Sequence, residues 1–265
     1  MTSNRHTASA KAALDPEAEW FGFTRVAPAA KTERVREVFA SVAGRYDLMN
    51  DLMSGGLHRL WKDRLVGMMR PRAGQVIVDV AGGTGDIAMR CAAKTDGQAQ
   101  VIVCDINPAM LRVGRDRAVD RGWIDGPSSP LRWLTGNAEA LPLADRSADL
   151  VDIAFGLRNV THIDRALGEF YRVLKPGGRF FCLEFSPGVA QGLKPLYDRY
   201  SFSVLPFLGR TVAQDEASYR YLAESIRQFP IQPVLAQRME RAGFAQVRWQ
   251  NLMGGIAVIH SGWRV

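Results

Sequence analysis

From residue 75 onward the chain alternates short β-branched and apolar runs with stretches whose apolar residues recur every three or four positions. The runs "QVIVDVA" (75–81), "AQVIVCDI" (99–106), "LRWLTGN" (131–137), "ADLVDIAFG" (148–156) and "GRFFCLEFS" (178–186) predict five strands, with helices predicted over 86–94, 108–121, 161–174 and 231–242. Such alternation is the signature of a mostly parallel sheet with crossover helices, an α/β fold. "QVRWQNLM" (246–253) and "GIAVIHSGW" (255–263) lie close enough to pair as a terminal antiparallel hairpin, which brings the sheet to seven strands. Pro176 and Gly177 in "LKPGG" stop the third helix and open a turn.

Two segments stand outside this alternation. Residues 31–70 place Val35, Val38, Phe39 and Val42 at helical spacing and then run through "YDLMNDLMSGGLHRLWKD", which predicts an N-terminal helical cap. Residues 187–230 form an aromatic-rich insertion after the fifth strand. Residues 1–30 read as a flexible tail, and 31–265 as a single domain. Ligands of open α/β sheets bind outside the carboxyl ends of the strands, where a cap and an insertion of this kind can cover them.

Composition narrows the class. The 265 residues are 47% hydrophobic, enough for a sizeable core. No apolar run approaches the roughly 18 residues of a membrane span, and the first twenty residues lack the apolar stretch of a secretory signal. Asp15, Glu17 and Glu19 do not suit an acid-poor transit peptide. Cys91, Cys104 and Cys182 form no C-x-x-C pair and sit inside predicted elements. Buried thiols in a reducing cytoplasm are therefore expected, with no metal site. A net charge of +7 and a pI near 9.6 favour an anionic partner, either nucleic acid or an acidic membrane face. The charge is spread and is not interleaved with stacking aromatics, so no nucleic-acid surface is expected.

The stretch "VIVDVAGGTGDIAM" (76–89) carries the first chemistry: a strand stops on Gly82, Gly83 and Gly85 and restarts as a helix. Gly83, Gly85 and Ala88 satisfy G-x-G-x-x-A, a dinucleotide fingerprint. A pyrophosphate relies on free backbone N–H groups and the positive end of the helix dipole, and Asp86 at the helix start opposes it. S-adenosylmethionine carries positive ammonium and sulfonium groups and no phosphate, so a turn bearing Asp79 and Asp86 suits it better than a nicotinamide dinucleotide. A purely capping role for the two acids explains their type but not the whole constellation. Asp105 ends the second strand, where either ligand would offer ribose hydroxyls. Asn137 and Ala138 end the third, where an adenine ring could be bracketed.

The strings "FGFTRV", "YDLMNDLMSGGLHRLWKD", "DVAGGTGD", "GNAEALP", "FGLRNVTHIDRAL", "YRVLKPGGRF", "LEFS" and "SYRYLAESI" together resemble the ubiquinone/menaquinone biosynthesis C-methyltransferases, a family of Rossmann-like class I S-adenosylmethionine-dependent methyltransferases. The resemblance runs from about residue 31 to the end of the chain. It implies cofactor contacts at Thr84 of the glycine turn, at Asp105 and at the Asn137–Ala138 pair, to which the turn itself adds Asp79, Gly82, Gly83 and Gly85. The family often has Ser immediately before "FGLRNV"; this chain has Ala154, which removes any hydroxyl contact there.

The same resemblance implies C-methylation of a polyprenylated quinol, either 2-methoxy-6-polyprenyl-1,4-benzoquinol or demethylmenaquinol. A neutral aromatic carbon is a poor nucleophile, so the ring oxygen must acquire phenolate character, and a phenol's pKa near 10 calls for help from a fixed positive charge. Arg158 is the candidate for that charge, and Asn159 for orienting the second ring oxygen. A proton acceptor is sought among Tyr46, Asp47, Asp51 and His58 of the cap, with His162 beyond the fourth strand. Phe202, Val204, Leu205, Phe207 and Leu208 of the insertion are candidates for lining a groove for the prenyl tail, or equally for core or a dimer face. The partners expected are thus the quinol, a transient membrane surface at the cytoplasmic face, other enzymes of quinone biosynthesis and a second copy of the chain. Among rivals, a nucleic-acid methyltransferase would need an N/D-P-P-Y loop where "FGLRNV" stands, or a Pro-Cys nucleophile where Cys182 lies in "RFFCLEFS". A methyltransferase acting on another small molecule, a non-catalytic cofactor-binding scaffold and a dehydrogenase complete the set.

Overall fold

The computed structural model describes residues 18–42, 51, 54–123, 126, 129–190, 192, 195, 199 and 216–265. Seven strands form the main sheet: β3 (Val76–Val80), β4 (Gln100–Asp105), β5 (Leu131–Thr135), β6 (Ala148–Ala154), β7 (Leu174–Phe185), β8 (Ala245–Leu252) and β9 (Ala257–Trp263). Their order is β5-β4-β3-β6-β7-β9-β8. The first five are parallel to their neighbours and the last two run antiparallel. This is the seven-stranded architecture read from the apolar runs, with the terminal hairpin in place.

The central strands are apolar on both sides because helices cover both faces of the sheet. On one face Ile77, Val101, Val103, Leu150 and Leu183 pack beneath α2 (His58–Met69), α3 (Asp86–Lys94) and α6 (Glu216–Gln228). On the other, Val78, Val151, Ile153, Phe180 and Cys182 meet α5 (Ile163–Val173) and α7 (Gln232–Arg241). All three thiols are buried, and burial raises the pKa of each, so they behave as small core residues. The remaining helix of the alternation, α4 (Pro108–Asp120), starts where the Asn107 side chain accepts the Ala109 N–H at 2.9 Å and Pro108 occupies the first turn.

Two local features depart from the sequence reading. Part of the expected tail is ordered: β1 (Glu19–Phe21) and β2 (Thr24–Val26) pair as a hairpin, followed by α1 (Pro28–Val42). A two-stranded ribbon is marginal alone, and this one is fastened to α6, where Glu224 accepts the Phe23 N–H at 3.1 Å and Phe21 stacks on Tyr221. The "LKPGG" stretch lies within β7: pairing with β6 passes from Ala148↔Leu174 to Leu150↔Arg179, so residues 175–178 bulge out, with Gly177 at φ 80°. The cap resolves into α1 and α2, and Tyr46 and Asp47 between them lie outside the described residues, as does the 202–208 cluster of the insertion. Among the described residues no helix is long and apolar enough to cross a membrane.

Candidate cofactor cleft and active site

The chain leaves β3 outward through β4 and β5 and then crosses back to β6 on the other side of β3. That reversal opens a crevice above the carboxyl ends of the central strands. The glycine turn forms its floor. Gly82 N–H donates to the Cys104 carbonyl at 3.3 Å and Gly85 N–H to the Gly82 carbonyl at 2.8 Å, which closes the turn. Gly85 sits at φ 73°, and a Cβ there would meet Trp133 at 2.6 Å, so only glycine fits. Asp79 is buried below the turn and accepts the Ala88 N–H at 3.1 Å; burial pushes its pKa up to about 7 against that bond.

Asp105 reaches the crevice itself. One carboxylate oxygen accepts the Gly83 N–H at 2.9 Å and the other the Asn107 N–H at 2.8 Å. Burial raises its pKa to about 6 although both bonds oppose the shift. The cleft, about 770 Å³ including its open mouth, is walled by Asn137, Ala138 and Glu139 on one side and by Phe155, Gly156 and Asn159 on the other. Thr32, Val35 and Phe39 of α1 also line it. A carboxylate on the floor, a side-chain amide at the wall and apolar slots made by Ile106 and Met110 form a donor set that fits a nucleoside with hydroxyl groups and positive charge.

The expected site residues divide between those that face the cleft and those that do not. Gly83, Asp105, Asn137, Ala138 and Asn159 line it. Gly82, Gly85 and Asp79 shape the turn from below. Thr84 is 2% exposed, does not line the cleft, and has its hydroxyl 3.4 Å from Arg117 Nη1. Asp86 does not present a bare charge at the helix start, because Lys62 Nζ lies 2.9 Å and Arg90 Nε 3.1 Å from its oxygens. Against the upward push of burial these partners hold its pKa below the ordinary value. Asp86, its charge matched by Lys62 and Arg90, therefore does not by itself exclude a phosphate from the turn.

Arg158 lies among close partners. Its Nη1 lies 2.7 Å from Glu184 Oε1 and 2.5 Å from the Phe155 carbonyl, and the guanidinium lies over the Phe185 ring. It does not line the cleft, and its charge is matched by Glu184, a residue the sequence reading did not single out. His58 is 3% exposed, with Nε2 2.9 Å from Asp51 Oδ1, while Asp51 is also held by Arg59 at 2.7 Å. Neither His58 nor Asp51 is among the residues that line the cleft. His162 sits at the start of α5 with Nδ1 2.7 Å from Glu139. Glu139 itself lines the cleft and accepts the N–H groups of Thr161 and His162 at 3.1 Å each. Glu139 and Tyr221, whose hydroxyl donates to Asn159 at 3.0 Å, were present in quoted motifs but carried no spacing signal of their own.

A model of the ubiE/COQ5 methyltransferase family matches residues 28–264. The chain belongs to this family. A ubiquinone/menaquinone biosynthesis C-methyltransferase UbiE from Acidiphilium cryptum (strain JF-5) is 57% identical, the match covering 92% of this chain and 96% of that one. The mitochondrial 2-methoxy-6-polyprenyl-1,4-benzoquinol methylase of Oryza sativa subsp. japonica is 50% identical over 95% of this chain and 90% of its own. Among solved structures, an S-adenosylmethionine-dependent methyltransferase of Thermotoga maritima superposes with a TM-score of 0.62 at 19% identity, covering 87% of this chain and all (100%) of that one. Phosphoethanolamine N-methyltransferase 2 of Haemonchus contortus, solved with S-adenosyl-L-methionine, gives 0.55 at 14% identity over 77% of this chain and 52% of its own. This ubiE/COQ5 family member is thus an S-adenosylmethionine-dependent methyltransferase with the class I fold, and S-adenosylmethionine is its cofactor.

Proposed function

We propose that the protein methylates a ring carbon of a polyprenylated quinol, 2-methoxy-6-polyprenyl-1,4-benzoquinol or demethylmenaquinol, in ubiquinone/menaquinone biosynthesis. The observation that carries this reading is the near-complete alignment, at 57% and 50% identity, with relatives named as a ubiquinone/menaquinone biosynthesis C-methyltransferase and a 2-methoxy-6-polyprenyl-1,4-benzoquinol methylase. The cleft supports it as well. Its lining combines an apolar face, Val35, Phe39 and Phe155, with the amide of Asn159 and the carboxylates of Asp105 and Glu139, and holds no cysteine or serine among the described residues.

The cofactor supplies an electrophilic methyl on a sulfonium; the ring carbon forms the new C–C bond as the C–S electron pair returns to sulfur, and the ring proton leaves to a base. In this reading Asp105 holds the ribose hydroxyls, and Gly83 lets the backbone come close. Asn137 and Ala138 bracket the adenine. Asn159 meets a ring oxygen from the opposite wall, while the Arg158–Glu184 pair fixes the loop from which Asn159 projects. A substrate with a prenyl tail resides in a bilayer, so the reading includes a transient contact with an anionic membrane surface. Trp20 and Phe23, 41% and 50% exposed on the hairpin, suit it, with Arg25 stacked on Trp20 and a net charge of +7.

The test offers labelled S-adenosylmethionine with each reduced quinol in turn. Label on a ring carbon of either one is the expected result. Tight cofactor binding without label on either quinol would overturn the substrate assignment and leave the methyltransferase class standing.

A further inference from the structure

Tyr221 is held from two sides. Its ring lies against Phe21 of the hairpin, with centroids 4.2 Å apart and planes inclined by 17°, and its hydroxyl donates to Oδ1 of Asn159 at 3.0 Å. The side chain is 4% exposed. Burial pushes the phenol's pKa well up, with Arg158 pulling down and Glu184 up, so the hydroxyl remains a protonated donor across the working pH range. A side-chain amide has one acceptor end and one donor end. Asn159 lines the cleft, and with Oδ1 engaged by Tyr221 the end left for a ligand is the Nδ2 group.

We propose that Tyr221 is a positioning residue that locks the Asn159 amide so that the cleft meets a hydrogen-bond donor at Nδ2 and not an acceptor at Oδ1. The inference rests on the quinol reading and deepens it. During C-methylation the ring oxygen gains negative charge as its electrons are pushed toward the attacking carbon. A fixed N–H aimed at that oxygen bonds more strongly to the developing phenolate than to the neutral hydroxyl, which lowers the barrier without merely tightening ground-state binding. An amide free to turn over would instead present Oδ1 for part of the time, and Oδ1 favours the protonated phenol. The hairpin thereby gains a role in the chemistry: Phe21 holds the ring whose hydroxyl sets the amide.

The experiment compares Tyr221→Phe, Asn159→Ala, the double variant and Asn159→Asp with wild type, on the quinol that wild type methylates. Tyr221→Phe keeps the stack on Phe21 and loses only the hydroxyl. It should lower kcat/KM for the quinol by about five- to fiftyfold, mainly in kcat, with the S-adenosylmethionine dissociation constant unchanged. The alkaline rise of kcat should move to higher pH. The double variant should be no slower than Asn159→Ala, because the hydroxyl acts only through the amide. Asn159→Asp keeps an acceptor for Tyr221 but turns a second acceptor toward the ring oxygen, so its loss should at least equal that of Asn159→Ala. Wild-type rates for Tyr221→Phe, multiplicative losses in the double variant, or wild-type turnover by Asn159→Asp would each overturn the proposal. Should Tyr221→Phe fail to fold, Asn159→Asp decides alone. A wild type inactive on both quinols sinks the quinol reading and this inference together, whereas an active wild type with an unaffected Tyr221→Phe sinks only the inference.

Discussion

Arg158 and Glu184 face each other at 2.7 Å with side chains 2% and 0% exposed, so a full ion pair lies inside the protein just beneath the wall of the cleft. Glu184 also accepts the backbone N–H groups of Arg158 at 3.3 Å and Phe185 at 2.9 Å, which ties the turn after β6 to the end of β7. Burial raises the Glu184 pKa, with Arg158 and the two N–H bonds pulling the other way.

Removing one partner of such a pair leaves the other charge uncompensated, at a cost of about 3–5 kcal/mol. Arg158→Met should therefore lower stability by that order in urea or thermal melts, and Arg158→Met combined with Glu184→Gln should restore most of it. Methyl transfer separates structure from chemistry. Recovery of turnover along with stability in the double variant would assign Arg158 a framework role, and stability without turnover would show that its charge reaches the substrate.

Asp79 and Asp152 are register partners on β3 and β6, both buried, and neither oxygen of Asp152 has a hydrogen-bond partner among the described residues. Burial first and Asp79 second push the Asp152 pKa well above its ordinary value, while Asp79 rises to about 7. A carboxyl with a raised folded-state pKa keeps a proton that the unfolded chain releases. The contribution of these two groups to stability is thus greatest below the ordinary carboxylate pKa near 4 and declines as pH climbs toward the folded values. Asp152→Asn should be close to neutral in a melt at pH 4 and stabilising by on the order of 1–3 kcal/mol at pH 8. A variant less stable than wild type at pH 8 would show that the Asp152 carboxyl has a partner worth keeping.

Much of this architecture could be read from sequence because the physics is local or periodic. Val76–Val80, Gln100–Asp105 and Leu131–Thr135 announce themselves as strands, and Asp105 as an acid at a strand's end. The contacts that define the active-site wall are of another kind. Arg158–Glu184, Tyr221–Asn159 and Thr32–Thr161 join residues 26, 62 and 129 positions apart. No periodicity encodes such pairs, so the partners of Arg158 and His58 could not be read from the chain. The hairpin at residues 19–26 was missed because three-residue strands carry no pattern and depend on Phe21 finding Tyr221.

His58 tests that distinction directly. It is buried, its Nδ1 has no hydrogen-bond partner among the described residues, and burial lowers its pKa despite the bond to Asp51. A base whose folded-state pKa is depressed contributes stability that is present above pH 6.5 and is lost as pH falls below it. His58→Gln should weaken the fold by about 1–2 kcal/mol and flatten the acid side of the stability profile. Turnover of the folded fraction should change little. A collapse of turnover with stability intact would return His58 to the list of proton acceptors.

The roof of the cleft carries the last prediction. Lys31, 5% exposed, donates from Nζ to the Val160 carbonyl at 3.0 Å and lies 3.7 Å from Glu19, while the hydroxyls of Thr32 and Thr161 meet at 3.0 Å. These bonds latch the start of α1 to the loop after β6, and the same helix supplies Thr32, Val35 and Phe39 to the cleft. Cofactor held beneath a latched helix leaves only when the latch opens. Lys31→Met keeps the stem's packing and removes the charged donor, so S-adenosylmethionine should dissociate about ten- to hundredfold faster in stopped-flow displacement, by the worth of a buried charged hydrogen bond. Hydrogen exchange in residues 28–39 should rise in parallel. Faster exchange without faster dissociation would mean that the helix moves but does not gate the cleft, and no change in either would mean that the apolar contacts of Val35 and Phe39 alone hold the roof shut.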